Sequence, residues 1–306
     1  MLAAAHLRNS RKGIQKKDAL EQCMWDMIRR RIGPLTKSSA HRITPEQLRA
    51  EWNIVVQKLD LDTGRPDHGE TFIQPIPIHQ IDSWIKEFRP LEYPSRGPYD
   101  YDLFDIYDRL EDAGEGKEIS RGIFRMVNNY IIRSHLFRGG SILWNKTNWR
   151  KCLPTTDRLS FRSEKHNWFV STVIYQCNPA LGNRYISTTL PHLSCFLHDD
   201  EMLQDDGSLS HAELNTIMIL ALQQASDCTY SHATVIPIVV FSCAGRHLRI
   251  VQACIDFKHY HFDIRCSEIL NFNEGGIRGT DENLRRFYTL LGWVLGEPVG
   301  NVEKSQ

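Results

Sequence analysis

Between Thr234 and Cys266 the chain reads TVIPIVVFSCAGRHLRIVQACIDFKHYHFDIRC, three β-type runs separated by two turn signals. Val235–Phe241 is apolar and largely β-branched, and the turn signal Ala244-Gly245 follows it. Leu248–Phe257 comes next, and Tyr260–Cys266 alternates apolar and polar with period two. This pattern predicts a three-stranded antiparallel meander. A second turn at Lys258-His259 sets Asp256 opposite His261, Cys254 opposite Asp263 and Gln252 opposite Arg265. Val251, Ala253, Ile255, Phe262 and Ile264 then share the other face, a surface fit for a core. The same arithmetic at the first turn sets Phe241 against Leu248 and Val239 against Ile250. Pro237 suits a sheet edge or a strand start.

Such a meander must bury its apolar face, and the flanking segments offer helices to do so. Ser210-x-x-Glu213 is a capping box opening a helix through Asp227 that is apolar nearly all round. A second helix carries Leu284, Phe287, Tyr288, Leu291, Val294 and Leu295 on one stripe and stops at Gly296. Upstream, Thr44-Pro45-Glu46-Gln47 opens a helix with Leu48 and Trp52 on its face, and Ile78, Ile81, Ile85 and Phe88 mark another. Helices are also expected around 103–110 and 119–130, and strands over 142–149, 168–176 and 184–190. The predicted class is α+β: a helical N-terminal region, then a mainly antiparallel sheet packed against two helices. Pro90–Pro98 (PLEYPSRGP) is the expected internal boundary. It separates a basic arm (1–17) and a helical region (18–92) from an α+β domain (99–306).

Charge narrows the function classes. The net charge is zero, so no bulk attraction to nucleic acid or membrane operates. The first fifty residues nevertheless hold eleven Lys/Arg against four acids, which makes residues 8–31 a candidate surface for nucleic acid or another protein. No apolar run approaches the length of a bilayer span. The eight cysteines are dispersed without a C-x-x-C, and the opening lacks an apolar leader core, so an intracellular location is expected, nuclear or cytoplasmic. An acid-poor, basic opening also fits a mitochondrial presequence.

Common nucleotide-binding and hydrolase signatures are missing: there is no P-loop, dinucleotide fingerprint, G-x-S-x-G or H-E-x-x-H. What remains is the polar side of the meander. The helix–strand–strand–strand–helix order, with Glu213 in the first helix, Asp256 on the second strand and Asp263-x-Arg265 on the third, resembles the restriction-endonuclease-like nuclease core. The resemblance implies a candidate catalytic set of Glu213, Asp256, Asp263 and Arg265, in which clustered carboxylates hold a divalent metal and the cation stabilises developing charge. That resemblance departs from the pattern in three ways: Arg265 stands where a lysine is wanted, only seven residues separate the two aspartates, and no closing strand is evident. His261 and Asp263, with His259, are candidate metal ligands. The competing expectation for this side is a solvated face of an ordinary antiparallel sheet. His198-Asp199-Asp200-Glu201 has the composition of an acidic diphosphate motif, but it is expected in a loop.

Gly245–Ile255, Phe262–Phe272 and Trp293–Gly300, the last reading WVLGEPVG, resemble uncharacterised proteins of filamentous fungi. The resemblance covers under a fifth of the chain, carries no catalytic signature and implies a eukaryotic, intracellular origin. Taken together, the sequence favours an interaction protein. The alternatives are a metal-dependent phosphodiesterase or nuclease built on the acidic sheet patch, and a small-molecule enzyme of fungal metabolism.

Overall fold

A computed structural model describes residues 22, 26, 29–30, 33–37, 40–88, 116–132, 141–152, 162–163, 167–178, 187, 189–226, 233–257, 259, 261–272 and 280–302. In chain order these residues form α1 (Gly33–Lys37), β1 (Arg42–Ile43), α2 (Pro45–Trp52), β2 (Val56–Lys58), β3 (Ile73–Gln74) and α3 (Ile78–Phe88). Then come α4 (Gly116–Val127), continued by a π turn over Asn128–Ile132, α5 (Ile142–Lys146), β4 (Trp149–Cys152), β5 (Arg162–Ser163), β6 (Trp168–Gln176) and β7 (Leu193–His198). The remainder is β8 (Leu209–Ser210), α6 (His211–Ser226), β9 (Val235–Ala244), β10 (His247–Asp256), β11 (His261–Cys266), β12 (Leu270–Asn271), α7 (Asp281–Val294) and β13 (Glu297–Pro298).

The meander is the middle of a larger, mainly antiparallel sheet ordered β2-β11-β10-β9-β7-β6-β4, with β12 added on β10 and β5 on β6. Two contacts in it are parallel, β2 with β11 and β7 with β9. The fold is α+β, with helices on both faces. On one face α6 packs with Leu35, Leu48 and Trp52 of α1 and α2 over Val251, Ala253, Ile255, Phe262 and Ile264, the face expected to be core. The other face takes α3, α4, α5 and α7 over Val239, Phe241, Leu248 and Ile250. Fourteen residues of α6 are buried, among them the polar His211, Glu213, Asn215, Thr216 and Gln224 as well as its apolar majority.

The second hairpin has the register the sequence dictates, with Asp256↔His261, Cys254↔Asp263 and Gln252↔Arg265. In the first, the turn sits one residue later than expected. Ala244 pairs with His247 across a two-residue turn that starts at Gly245 (φ +57°), so Phe241 faces Ile250 and not Leu248. The slip is two residues, an even number, so every side chain keeps its face. Pro237 lies in a central strand, contrary to its edge preference. The β7 contact begins only at Ile238, so at Pro237 the strand is still open on that side.

Two strand assignments change. Residues 142–146 are helical: Asn145 N–H bonds to Ser141 O at 2.9 Å, and Ile142 and Leu143 are buried side by side while Trp144 is exposed. That burial does not alternate, so β4 starts later, at Trp149. The next strand after β6 is LSCFLH at 193–198, buried at every position and therefore without the alternation that marks a half-wet strand. Of residues 184–190, only 187, 189 and 190 are described, and none belongs to a strand.

The Pro90–Pro98 boundary, the 103–110 helix and most of the basic 8–31 segment lie outside the described residues. On the near side of that boundary, β2 is bonded to β11, and Ile81 and Ile85 of α3 enter the same core as Phe287 of α7. No described helix is long and apolar enough to cross a membrane.

Candidate functional site

The polar side of the meander is largely dry, with His261 at its end exposed. Gln252 and Arg265 have no exposed surface, and Asp256 is 3% exposed. Residues from the 57–72 segment cover Arg265 and reach Asp263. Arg265 Nη1 donates to Glu70 O (2.6 Å) and Gln252 Oε1 (2.8 Å), while its Nε donates to Asp263 Oδ1 (3.2 Å). Its Nη2 donates to Asp263 Oδ2, completing a bidentate pair. The guanidinium lies 5.3 Å from the centre of the Phe72 ring, and Gln57 Nε2 of β2 donates to Asp263 Oδ1 at 3.0 Å. The solvated-face expectation is thus corrected. Its cover comes from a segment about two hundred residues earlier, joined to β11 by the β2 ladder, by Gln57 and by Arg265.

Asp256 closes the hairpin end. Its Oδ1 accepts from His259 N–H at 3.1 Å, and its Oδ2 lies 2.8 Å from His259 Nδ1. His261 stands opposite Asp256 in register and is exposed. Among the described residues, no three His, Cys, Asp or Glu side chains come together to hold a metal. His259, His261 and Asp263 follow each other with period two, but His259 turns back to Asp256 and Asp263 turns to Arg265 and Gln57. Both carboxylates thus already have protein partners.

Glu213 is elsewhere. It sits on α6, against the other face of the sheet, and its carboxylate is gripped by Arg249 of β10 (Nε to Oε1, 2.8 Å; Nη2 to Oε2). The capping box is present, with Ser210 N–H to Glu213 Oε2 at 2.8 Å and Glu213 N–H to Ser210 Oγ at 3.1 Å. Arg249 also donates to Gln204 O and Ser208 O, both at 2.9 Å. The structure therefore brings Asp256, Asp263 and Arg265 to one face and leaves Glu213 on the opposite one, so the four do not converge.

His198, expected with Asp199 in a solvated loop, instead ends β7 and is buried in a third polar cluster. His198 is fully buried, with Nδ1 3.0 Å from Ser120 Oγ and Nε2 2.8 Å from Ser171 Oγ. Ser171 sits at a β-bulge between Val170 and Thr172. Phe169 stacks on the imidazole at 4.7 Å. A serine beside a histidine has the geometry of an activated nucleophile. Here, however, burial and then the nearby Arg121 charge push the His198 pKa down to about 3. Such an imidazole is a poorer proton acceptor than an unperturbed one by roughly three orders of magnitude. A serine, not a carboxylate, backs its far nitrogen. The cluster anchors the end of β7 to α4 and β6.

Next along the chain, burial pushes the Asp199 carboxyl up to about 7, against the Glu201 N–H bond that favours its charge. No periodicity flags either residue, because His198 and Asp199 end a strand whose every position is buried. An open groove of about 400 Å³ runs between residues 58–62, 268–270 and α7, and both signs of charge line it, including Lys58, Asp62, Glu268 and Arg285. No protein-family model matches the chain, and no curated protein matches it in sequence.

Proposed function

We propose that this chain is an intracellular interaction protein that binds an acidic partner, nucleic acid first, through the basic segment at residues 8–31. The observation that carries the reading is the commitment of the candidate catalytic groups. Glu213 and Asp263 are each clasped by a buried arginine, on opposite faces of the sheet. A carboxylate that releases its arginine to bind metal leaves a buried cation uncompensated, at a cost of several kcal/mol, about 3–5. The charge asymmetry of the first fifty residues supplies the complementary surface.

The test is one gel with labelled single-stranded DNA, double-stranded DNA and RNA, each with Mn²⁺ or with chelator. A metal-independent shift that fades with salt is the expected result. Cleavage that appears only with metal and is lost in Asp263→Ala would replace this reading with the phosphodiesterase one. Neither shift nor cleavage would exclude nucleic acid and turn the search to a protein partner.

A further inference from the structure

Three cations line one side of α4, and two of them lie on aromatic rings. Arg121 and Arg125 are one helical turn apart, roughly 5–6 Å between Cβ atoms. The Arg121 guanidinium sits 4.6 Å from the centre of the Phe169 ring on β6. On β4, Lys151 places its ammonium 5.3 Å from the centre of the Phe124 ring and donates to Asn128 Oδ1 at 3.1 Å. The two rings meet at one imidazole. Phe169 stacks on His198 at 4.7 Å, and Phe124 meets it edge-on at 6.1 Å. Contacts therefore run unbroken from Arg121 to Lys151. Arg125 is exposed, and Arg121, Phe124, Phe169 and Lys151 are half-buried.

The charge built into this surface has one sign. Residues 119–132, 149–152, 168–176 and 193–198, which form it, contain Arg121, Arg125, Arg150 and Lys151 but no Asp or Glu. Arg150 is turned to the carbonyls of Trp144, Thr147 and Trp149. The two acids that follow β7 have other partners: Asp199 accepts from Glu201 N–H at 3.2 Å, and Asp200 from Asn167 Nδ2. Burial and the Arg121 charge keep the His198 ring neutral. A cation laid on a ring keeps its full charge, and it gives up less freedom to an arriving anion than one on a loose stem.

We infer that Arg121, Arg125 and Lys151 form a phosphate-backbone contact for nucleic acid. The inference rests on the nucleic-acid reading above, and it adds a contact on the folded part of the chain to the basic segment at residues 8–31. Leu35, which follows that segment, packs on the opposite face of the sheet from α4, so the ridge is a separate contact and not a continuation. Backbone phosphates carry no sequence information, so the ridge adds affinity and leaves base preference unchanged.

Salt dependence tests it, because each phosphate contact adds about 0.7–0.9 to the slope of log affinity against log salt. In the full chain, Arg125→Gln is expected to flatten that slope by one contact's share, read with a labelled oligonucleotide. The triple variant Arg121→Gln/Arg125→Gln/Lys151→Gln should flatten it by about 2–3. Arg121→Lys/Lys151→Arg keeps the charges while disturbing the packing, and should leave the slope as it is. Wild-type slopes in Arg125→Gln and the triple variant overturn the inference, as does a flattened slope in the charge-preserving swap. Changing Arg29, Arg30 and Arg31 together to Gln separates the two contacts. If that variant binds like wild type while the ridge variants weaken, the ridge stands and the basic-segment reading falls. The reverse pattern keeps the segment and removes the ridge. A wild-type protein that shifts no oligonucleotide overturns both.

Discussion

Among the described residues, each face of the sheet carries a buried arginine–carboxylate pair, and the two pairs hold different things. Arg249–Glu213 joins a strand to the first turn of α6 inside an apolar core, with side chains 3% and 0% exposed. Arg265–Asp263 lies within one strand, two residues apart, and Asp263 keeps 16% of its side chain exposed. The first pair is a long-range clamp. The second presents a preformed fork to an incoming segment, taking Glu70 O with a free N–H and Gln57 through its carboxylate. Identical chemistry thus fastens a helix on one side and the cover of the polar face on the other. The difference lies in whether water can rescue the partner left behind.

Removing Arg249 is the sharpest way to break this comparison. Arg249→Met strands Glu213 in the core and is expected to cost about 3–5 kcal/mol in denaturant unfolding. The double variant Arg249→Met/Glu213→Leu should recover most of that, because no charge is left unpaired. A double variant as unstable as the single one would show that the arginine's bonds to Gln204 and Ser208 matter more than its charge. Arg265→Ala should cost less, about 2 kcal/mol, because Asp263 reaches solvent. Its more specific mark is faster amide exchange at residues 56–58, with α6 unaffected.

Titration gives effects of intermediate size. His192 and His198 are held neutral when folded, with pKa values pushed down to about 4 and about 3, below the ordinary 6.5. The unfolded chain therefore binds more protons below 6.5, and each histidine removes up to about 1.4 kcal/mol of stability per pH unit as acid is added. Asp199 works in reverse. Its pKa of about 7, against 3.8, makes stability fall as pH rises from 4 to 7 and stay level above that. Asp199→Asn should thus steepen the acid loss between pH 4 and 6.5, as read by thermal melts across that range. The smallest expected effect is at the α2 cap, where Thr44→Ala should cost about 1 kcal/mol. Thr44 Oγ1 accepts from Gln47 N–H there, and the Gln47 side chain returns the bond.

How far the sequence reveals these features depends on how local their causes are. The β10–β11 register follows from one turn and an alternating strand, and both helix caps follow from four-residue motifs. The first hairpin slips by two residues because Ala244-Gly245 marks a turn without fixing which residue leads it, yet face assignment survives an even slip. β7 escapes notice because a strand buried on both sides has no alternation to read. The polar patch shows the limit most clearly. Gln252, Asp263 and Arg265 are correctly placed on one face, but nothing near them announces that Gln57, Glu70 and Phe72 will cover it. Glu213 is legible as a cap and illegible as Arg249's partner for the same reason.

The parallel contact of β2 with β11 also fixes a timetable. Gln57 and Asp263 bond across 206 residues of chain, so at ordinary rates of synthesis the first waits roughly 10–40 s for the second to be made. During that interval the segment that will roof the sheet has no docking site. Until then Val56–Lys58 is a strand without its native partner.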